Sequence, residues 1–348
     1  MFIILVAFSW VCIYGMKLAP FKGFNEGYLS RSDTTAMKGI FVFMVFLSHF
    51  TQYYQMNTVF DNPYKLIKNN SGQLVVVMFL FYSGYGIYES LKKKGSGYIR
   101  TFPKNRCLKT LLHLDIAVII YLIFDLIIGQ KVTAVNFLLS LVAWKGIGNS
   151  NWFMFAIIVQ YLLVFIAFTV FSKKRVPALL LVTALSVVYI IVMMQVKESW
   201  WYNTALCLPL GMWFSYFKDG IQKFVMKNNI TYILSGVIVA GIFAVSFLKR
   251  KEFVFYEIWT LAFALLVVLL TMKVKFGNKA LEWLGNHVFS VYILQRIPMI
   301  IFKDVPAVFS SRYIYFVLCF AITVVLSELF DRAMAVIDKK LFAPKLKA

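Results

Sequence analysis

Apolar residues run through this chain in long stretches separated by short clusters of charge and turn residues. The stretches fall near 1–16, 39–56, 72–91, 110–129, 152–172, 176–195, 203–217, 231–248, 254–272, 287–303 and 312–330. A helix crosses the hydrocarbon layer of a bilayer in roughly 20 residues. The pattern therefore predicts an all-α, polytopic transmembrane helix bundle with about ten or eleven spans. The first, seventh and tenth stretches are short, as a steep or re-entrant segment would be. The segment 136–144 is too short to span and is expected at the interface. The stretch 92–109 holds Gly95, Gly97 and Pro103 and reads as a loop. Residues 1–16 lack a basic leading region and a small-residue cleavage site, so they read as a short first span rather than a cleaved signal. No internal repeat or separate soluble domain stands out, which leaves 1–348 as a single integral-membrane domain.

Composition sharpens this picture. Of 348 residues, 61% are apolar, 18% aromatic and only 15% charged, which excludes a soluble globular enzyme, a disordered chain and a disulfide scaffold. The net charge of +21 would suggest nucleic acid in a soluble protein. Here the basic residues follow the topology instead. If 17–38 is cytoplasmic and the sides alternate, 25 of the 36 Lys and Arg fall in cytoplasmic segments. The N-terminus is then outside and the C-terminus in the cytoplasm. Lys249, Arg250 and Lys251 are the exception, lying outside. Tyr53, Tyr54, Trp200, Trp201 and Tyr202 fit an outer aromatic belt. Cys12, Cys107, Cys207 and Cys319 have no metal or redox spacing. Cys107 alone lies among basic residues, where a thiol can be reactive.

Ionisable groups inside the hydrocarbon are costly and point to function. The leading case is His49, about ten residues into the second stretch. Lys38 lies eleven residues before it, close to three helical turns. Both project from one helix face, roughly 16 Å apart. A boundary cation thus looks along one stripe towards a buried imidazole. The plainer reading is a satisfied core histidine with a snorkelling lysine. In the next stretch Ser83, Gly84 and Gly86 allow close approach of a helix or a ligand, with Ser83 and Tyr85 able to hydrogen-bond there. Among the seven cations of 92–109, Arg100 and Arg106 best suit a phosphorylated ligand, while Lys92–Lys94 read as a topology signal. His113 and Asp115 are two residues apart and do not share a helix face, so a dyad within this helix is not expected, and partners on other helices stay open for both. Asp125, Gln160 with Tyr161, Glu257, Gln295 with Arg296, and Glu328 could each line a polar cavity or form an interhelical bond. Three histidines on separate spans argue against a metal site.

Several of these segments, taken in order, resemble the acyltransferase-3 family of multi-span membrane acyltransferases. Lys38, ten intervening residues and His49 resemble its Arg-x10-His signature. FLFYSGYGIYES resembles its aromatic-then-Ser-Gly-Tyr segment. Asn105–Arg106 resembles its arginine region. Asn151-Trp152-Phe153 with Gln160 and Tyr161 resembles its Trp-Phe…Tyr span, and LGNHVFSVYILQ its Leu-Gly…Ser…Tyr-Leu segment. Two departures stand out. Lys38 replaces the usual Arg and loses its fork geometry. Gln295 falls where many relatives carry His.

The resemblance implies transfer of an acyl group, most often acetyl, from cytoplasmic acetyl-CoA (acyl-CoA) to a hydroxyl. The acceptor is expected to be a polysaccharide of the cell envelope or its lipid-linked precursor, and the enzyme an O-acetyltransferase of the cell membrane. In that reading His49 is the general base, because imidazole titrates near operating pH. Ser83 and Tyr85 stabilise the oxyanion. Lys38, Arg100 and Arg106 hold the CoA phosphates. Trp152, Gln160, Tyr161 and Gln295 contact the acceptor. No metal is expected. The alternative function is a transporter or flippase for a glycan or small solute, against which stands the lack of paired broken helices in matching halves.

Overall fold

A computed structural model of the chain describes residues 1–342; of the basic residues counted above, Lys345 and Lys347 lie outside them. The fold is all-α apart from a two-residue antiparallel ladder, Lys17–Leu18 against Val274–Lys275. In chain order the helices are α1 (Phe2–Ile13), α2 (Arg31–Tyr53), α3 (Asn62–Ser71), α4 (Leu74–Lys94), α5 (Ser96–Phe102) and α6 (Lys109–Ile127). There follow α7 (Ala134–Leu141), α8 (Trp152–Val170), α9 (Arg175–Val196), α10 (Cys207–Val225), α11 (Asn229–Leu248) and α12 (Phe253–Thr271). The last are α13 (Lys279–Asn286), α14 (Val288–Leu294), α15 (Arg296–Phe302), α16 (Pro306–Phe309) and α17 (Arg312–Leu341).

Among the described residues eight helices are long and apolar enough to cross a membrane: α2, α4, the run Ser96–Ile127, α8, α9, α11, α12 and α17. Their surfaces name the solvent. Helix α11 buries only Ser246 and exposes Ile230, Val237 and Leu248 at 77%, 63% and 79%. A soluble protein does not leave so continuous an apolar face in water, so lipid covers it. The chain is a multi-pass integral membrane protein. The three remaining stretches of the predicted eleven differ from full spans. The first is α1, only 12 residues long. The seventh is α10, whose last two turns carry Lys218, Asp219 and Lys223. The tenth is two short helices, α14 and α15, meeting at Gln295. Segment 136–144 is covered mostly by the short helix α7.

One local expectation is corrected. The stretch 92–109 is helical, not a loop. Helix α4 runs to Lys94 and Gly95 turns the chain with φ +59°. The chain then continues from Ser96 through α5 and a π-helical stretch, Pro103–Leu108, into α6. Proline has no N–H for the helical ladder, and a wide turn at that point accommodates the loss. Cys107 is accordingly a buried helix residue rather than a thiol in an open loop.

The described chain divides into two compact units. Unit 1 is Met1–Phe43, Asn57–Ser96 and Ala167–Asn286. Its centre is the packing of α4 on α10. Gly84 lies against the backbone of Leu208, and Gly211 against that of Phe81, so a Cβ at either would strike main chain. Small residues bring these two helices together, as they do in membrane bundles generally. Unit 2 is Met44–Met56, Gly97–Ile166 and the chain from His287 on. In it α14 and α15 pack on α17, and α14 also meets α6. The α14–α15 junction has a sequence cause. Pro298 offers no N–H to the carbonyl of Leu294, four residues back, and its ring crowds that carbonyl. Neighbouring side chains take up carbonyls at the junction: the Tyr121 hydroxyl donates to Ile293 O at 2.8 Å, and Gln295 Nε2 donates to Tyr292 O at 2.9 Å.

Candidate functional site

The second half of α2, the loop before α8 and the α14–α15 junction bring a cluster of polar side chains together inside unit 2. Helix α2 supplies His49, buried at 8% exposure between Ser48 and Phe50. The loop supplies Ser150, whose Oγ lies 3.4 Å from His49 Nε2. That loop is fixed by its own asparagines. Asn149 Oδ1 accepts the N–H of Ile147, and Asn151 Nδ2 donates to Ala143 O at 2.9 Å. Gly148, at φ +100°, lets the loop lie directly over the Tyr121 ring.

The junction supplies Tyr292, Gln295 and Arg296. The Tyr292 ring sits 6.1 Å from the imidazole, centroid to centroid, and 5.6 Å from Phe153. Gln295 is fully buried beside the histidine. Arg296 is half-buried and within electrostatic range of His49. Four polar atoms of this group make no well-formed hydrogen bond: His49 Nδ1, Tyr292 OH, Gln295 Oε1 and Arg296 Nε. Gln295 lies beside the imidazole, and Ser150 and the Phe153 backbone lie beside the Tyr292 hydroxyl, so these contacts are long or poorly aligned rather than absent. Buried polar atoms are nearly always paired, and an unpaired one costs about 1–3 kcal/mol. Four around one imidazole are a concentration that packing alone does not favour.

Other expected site residues fall into separate groups. Arg106, in the π-helical stretch, faces the hydroxyls of Tyr98 and Tyr161. Gln160 is fully buried on α8, and Trp152, at the start of that helix, is partly exposed. Arg100 is exposed on α5. Lys38, Ser83 and Tyr85 belong to unit 1. Lys38 is half-buried on the first half of α2, the helix that also carries His49. Tyr85 lies 5.7 Å below the Lys218 ammonium, near the carboxylates of Glu89 and Asp219. In the Ser-Gly-Tyr segment Gly84 makes the close helix contact, whereas Gly86 faces open space. Lys92 donates to Glu89 Oε1 at 2.8 Å and to the carbonyl of Ser215, an anchoring role at the helix end.

Of the two neighbours on α6, His113 has a partner on another helix, whereas Asp115 Oδ1 has none. His113 Nε2 pairs with Asp338 Oδ1 of α17 at 3.0 Å, and Lys109 joins the same carboxylate at 2.6 Å. His287 pairs with Glu328 at 3.1 Å. Among the described residues no three His, Cys, Asp or Glu side chains form a metal-holding group.

Sequence reasoning did not single out Ser150 or Tyr292. Ser150 sits in a short irregular loop without periodicity. Tyr292 stood inside the quoted Leu-Gly…Ser…Tyr-Leu segment, which was its only signal. A cleft of about 590 Å³ in unit 1, lined by Lys22, Phe24, Glu26, Asp219, Gln222 and Lys223, was also not foreseen. Its two cations and two carboxylates balance, which gives a polyanion no net attraction.

The model of a family described as an acyltransferase domain matches residues 33–332. No curated protein and no solved structure matches the chain.

Proposed function

Because the chain belongs to the acyltransferase-3 family of membrane acyltransferases, we propose that it carries an acyl group, acetyl first of all, from acyl-CoA to a hydroxyl of an envelope polysaccharide or its lipid-linked precursor. His49 takes the proton from the acceptor hydroxyl as that oxygen attacks the thioester carbonyl. The C–S bond then breaks, and the CoA thiolate leaves and recovers the proton. The observation that supports this reading is the cluster of polar atoms with incomplete hydrogen bonds around a buried imidazole in a membrane helix. A reacting acceptor and thioester bring the donors and acceptors that the protein itself leaves unmatched.

Lys38, Arg100 and Arg106 hold the CoA phosphates in this reading. Lys38 does so from the same helix as His49, eleven residues earlier. Trp152, Gln160, Tyr161 and Gln295 contact the acceptor, and Ser83 and Tyr85 are the candidates for oxyanion stabilisation. Tyr85 is the weaker of these two, since the groups around it are carboxylates and a lysine.

The test is envelope ester content in cells lacking this protein and complemented with wild type or His49→Ala. Loss of the ester at equal protein level is expected. Normal ester content would remove His49 from the reaction. Purified protein should also release CoA from acetyl-CoA when an acceptor is supplied, which a transporter or flippase does not do.

A further inference from the structure

Arg296 is a cation without an anion. Among the described residues no carboxylate forms an ion pair with it. Asp125, one turn beyond Tyr121 on α6, is buried. The guanidinium donates from one terminal nitrogen to the neutral Gln52 Oε1 at 2.7 Å. Its Nε is buried and unpartnered. The remaining neighbours within electrostatic range are Tyr53, Tyr121, Tyr292 and His49, all neutral or neutral when acting as a base.

An arginine has five N–H donors in a rigid fork that matches an oxyanion with two parallel hydrogen bonds. Arg296 lies half-buried beside the end of α2 that carries Gln52 and Tyr53, where a guanidinium with no counter-charge can take an oxyanion. The junction that carries it is also tied without its help, through Tyr121 and Gln295. The hydrogen-bond partners of Arg296 are both neutral, the exposed Gln52 and the Tyr53 hydroxyl, so one end of the guanidinium lies near the surface and the other near the imidazole.

We propose that Arg296 is the binding residue for a fixed negative charge on the acceptor, a carboxylate or phosphate carried close to the hydroxyl that His49 deprotonates. The acceptor is then an acidic sugar or a polyol phosphate rather than a neutral glycan. This rests on the acyl-transfer reading for the word acceptor, but the charge site itself is testable by binding alone.

The experiment uses full-length protein in lipid nanodiscs and two matched probe pairs. These are methyl glucuronide against methyl glucoside, and glycerol 3-phosphate against glycerol. Binding is measured by titration calorimetry, and transfer from acetyl-CoA is measured separately. Wild type is expected to favour one charged probe over its neutral partner by about tenfold or more, the scale of charge-assisted hydrogen bonds. Which pair shows the preference distinguishes carboxylate from phosphate. Arg296→Gln is expected to abolish that preference. Arg296→Lys, which keeps the charge and loses the fork, is expected to retain part of it and carries the test should the glutamine variant not fold.

A preference absent from wild type, or surviving in Arg296→Gln, overturns the proposal. So does a variant with unchanged binding and a kcat lowered equally for charged and neutral probes, which would assign the guanidinium to the reacting oxyanion. Charge-selective binding without any transfer from acetyl-CoA would uphold the site and overturn the acyl-transfer reading instead.

Discussion

His49 owes its environment to side chains brought from two other places in the chain, the loop before α8 and the α14–α15 junction. Ser150 approaches Nε2 at 3.4 Å, beyond the distance of a strong hydrogen bond. It therefore orients the ring weakly at rest. Ser150→Ala is expected to lower kcat less than about tenfold, while His49→Ala lowers it by about 10²–10⁴, the range for loss of a general base. Steady-state transfer from labelled acetyl-CoA measures both. A serine effect as large as that of the histidine would make Ser150 a reacting group. His49 was legible in the sequence because a lone imidazole among Phe, Met, Val and Leu contradicts its surroundings. Ser150 was not, because a serine between two asparagines in a short loop looks like any turn. Arg296 could be named from sequence, but its lack of an acidic partner is a fact of three-dimensional neighbours.

Two helical junctions carry the next level of organisation. In unit 1, α4 and α10 approach until glycine is the only residue that fits at the crossing. Gly84→Val is expected to destabilise by about 2 kcal/mol or more, since the added atoms meet backbone rather than a movable side chain. Gly86→Ala, facing open space on the same helix, is expected to be neutral or slightly stabilising. Thermal unfolding of the purified proteins separates the two. In unit 2, Pro298 breaks the tenth stretch beside the site. Pro298→Ala restores an N–H for Leu294 O, so its melting temperature should not fall, yet transfer should slow as the junction straightens and moves Gln295 and Arg296. Unchanged kcat would show that the break does not shape the site. The glycine pattern announced close packing correctly, but only the fold chose which glycine makes it. The basic stretch 92–109 was misread because Gly and Pro signal turns on average. Here one positive-φ glycine makes the whole turn, and a π-helical stretch absorbs the proline.

At the scale of the whole molecule, the charge asymmetry sets an orientation that chemistry can check. In a cysteine-free background, a cysteine replacing Lys251 should react with an impermeant maleimide in intact cells. One replacing Lys223 should react only after permeabilisation. Both positions are exposed. The opposite pattern would invert the topology and move Lys38 to the outer face, away from cytoplasmic acyl-CoA. The sequence by itself determined that this is an all-α membrane protein, roughly where its helices lie, and which family it resembles. Those properties are local: some twenty successive apolar residues report their solvent wherever they occur. Only the tertiary structure decided that His49 meets Ser150, Tyr292 and Gln295, that His113 pairs with Asp338, and that Arg296 has no acid beside it. Such pairings join residues from 101 to 246 positions apart along the chain, and no local pattern encodes which helix face will turn toward which neighbour.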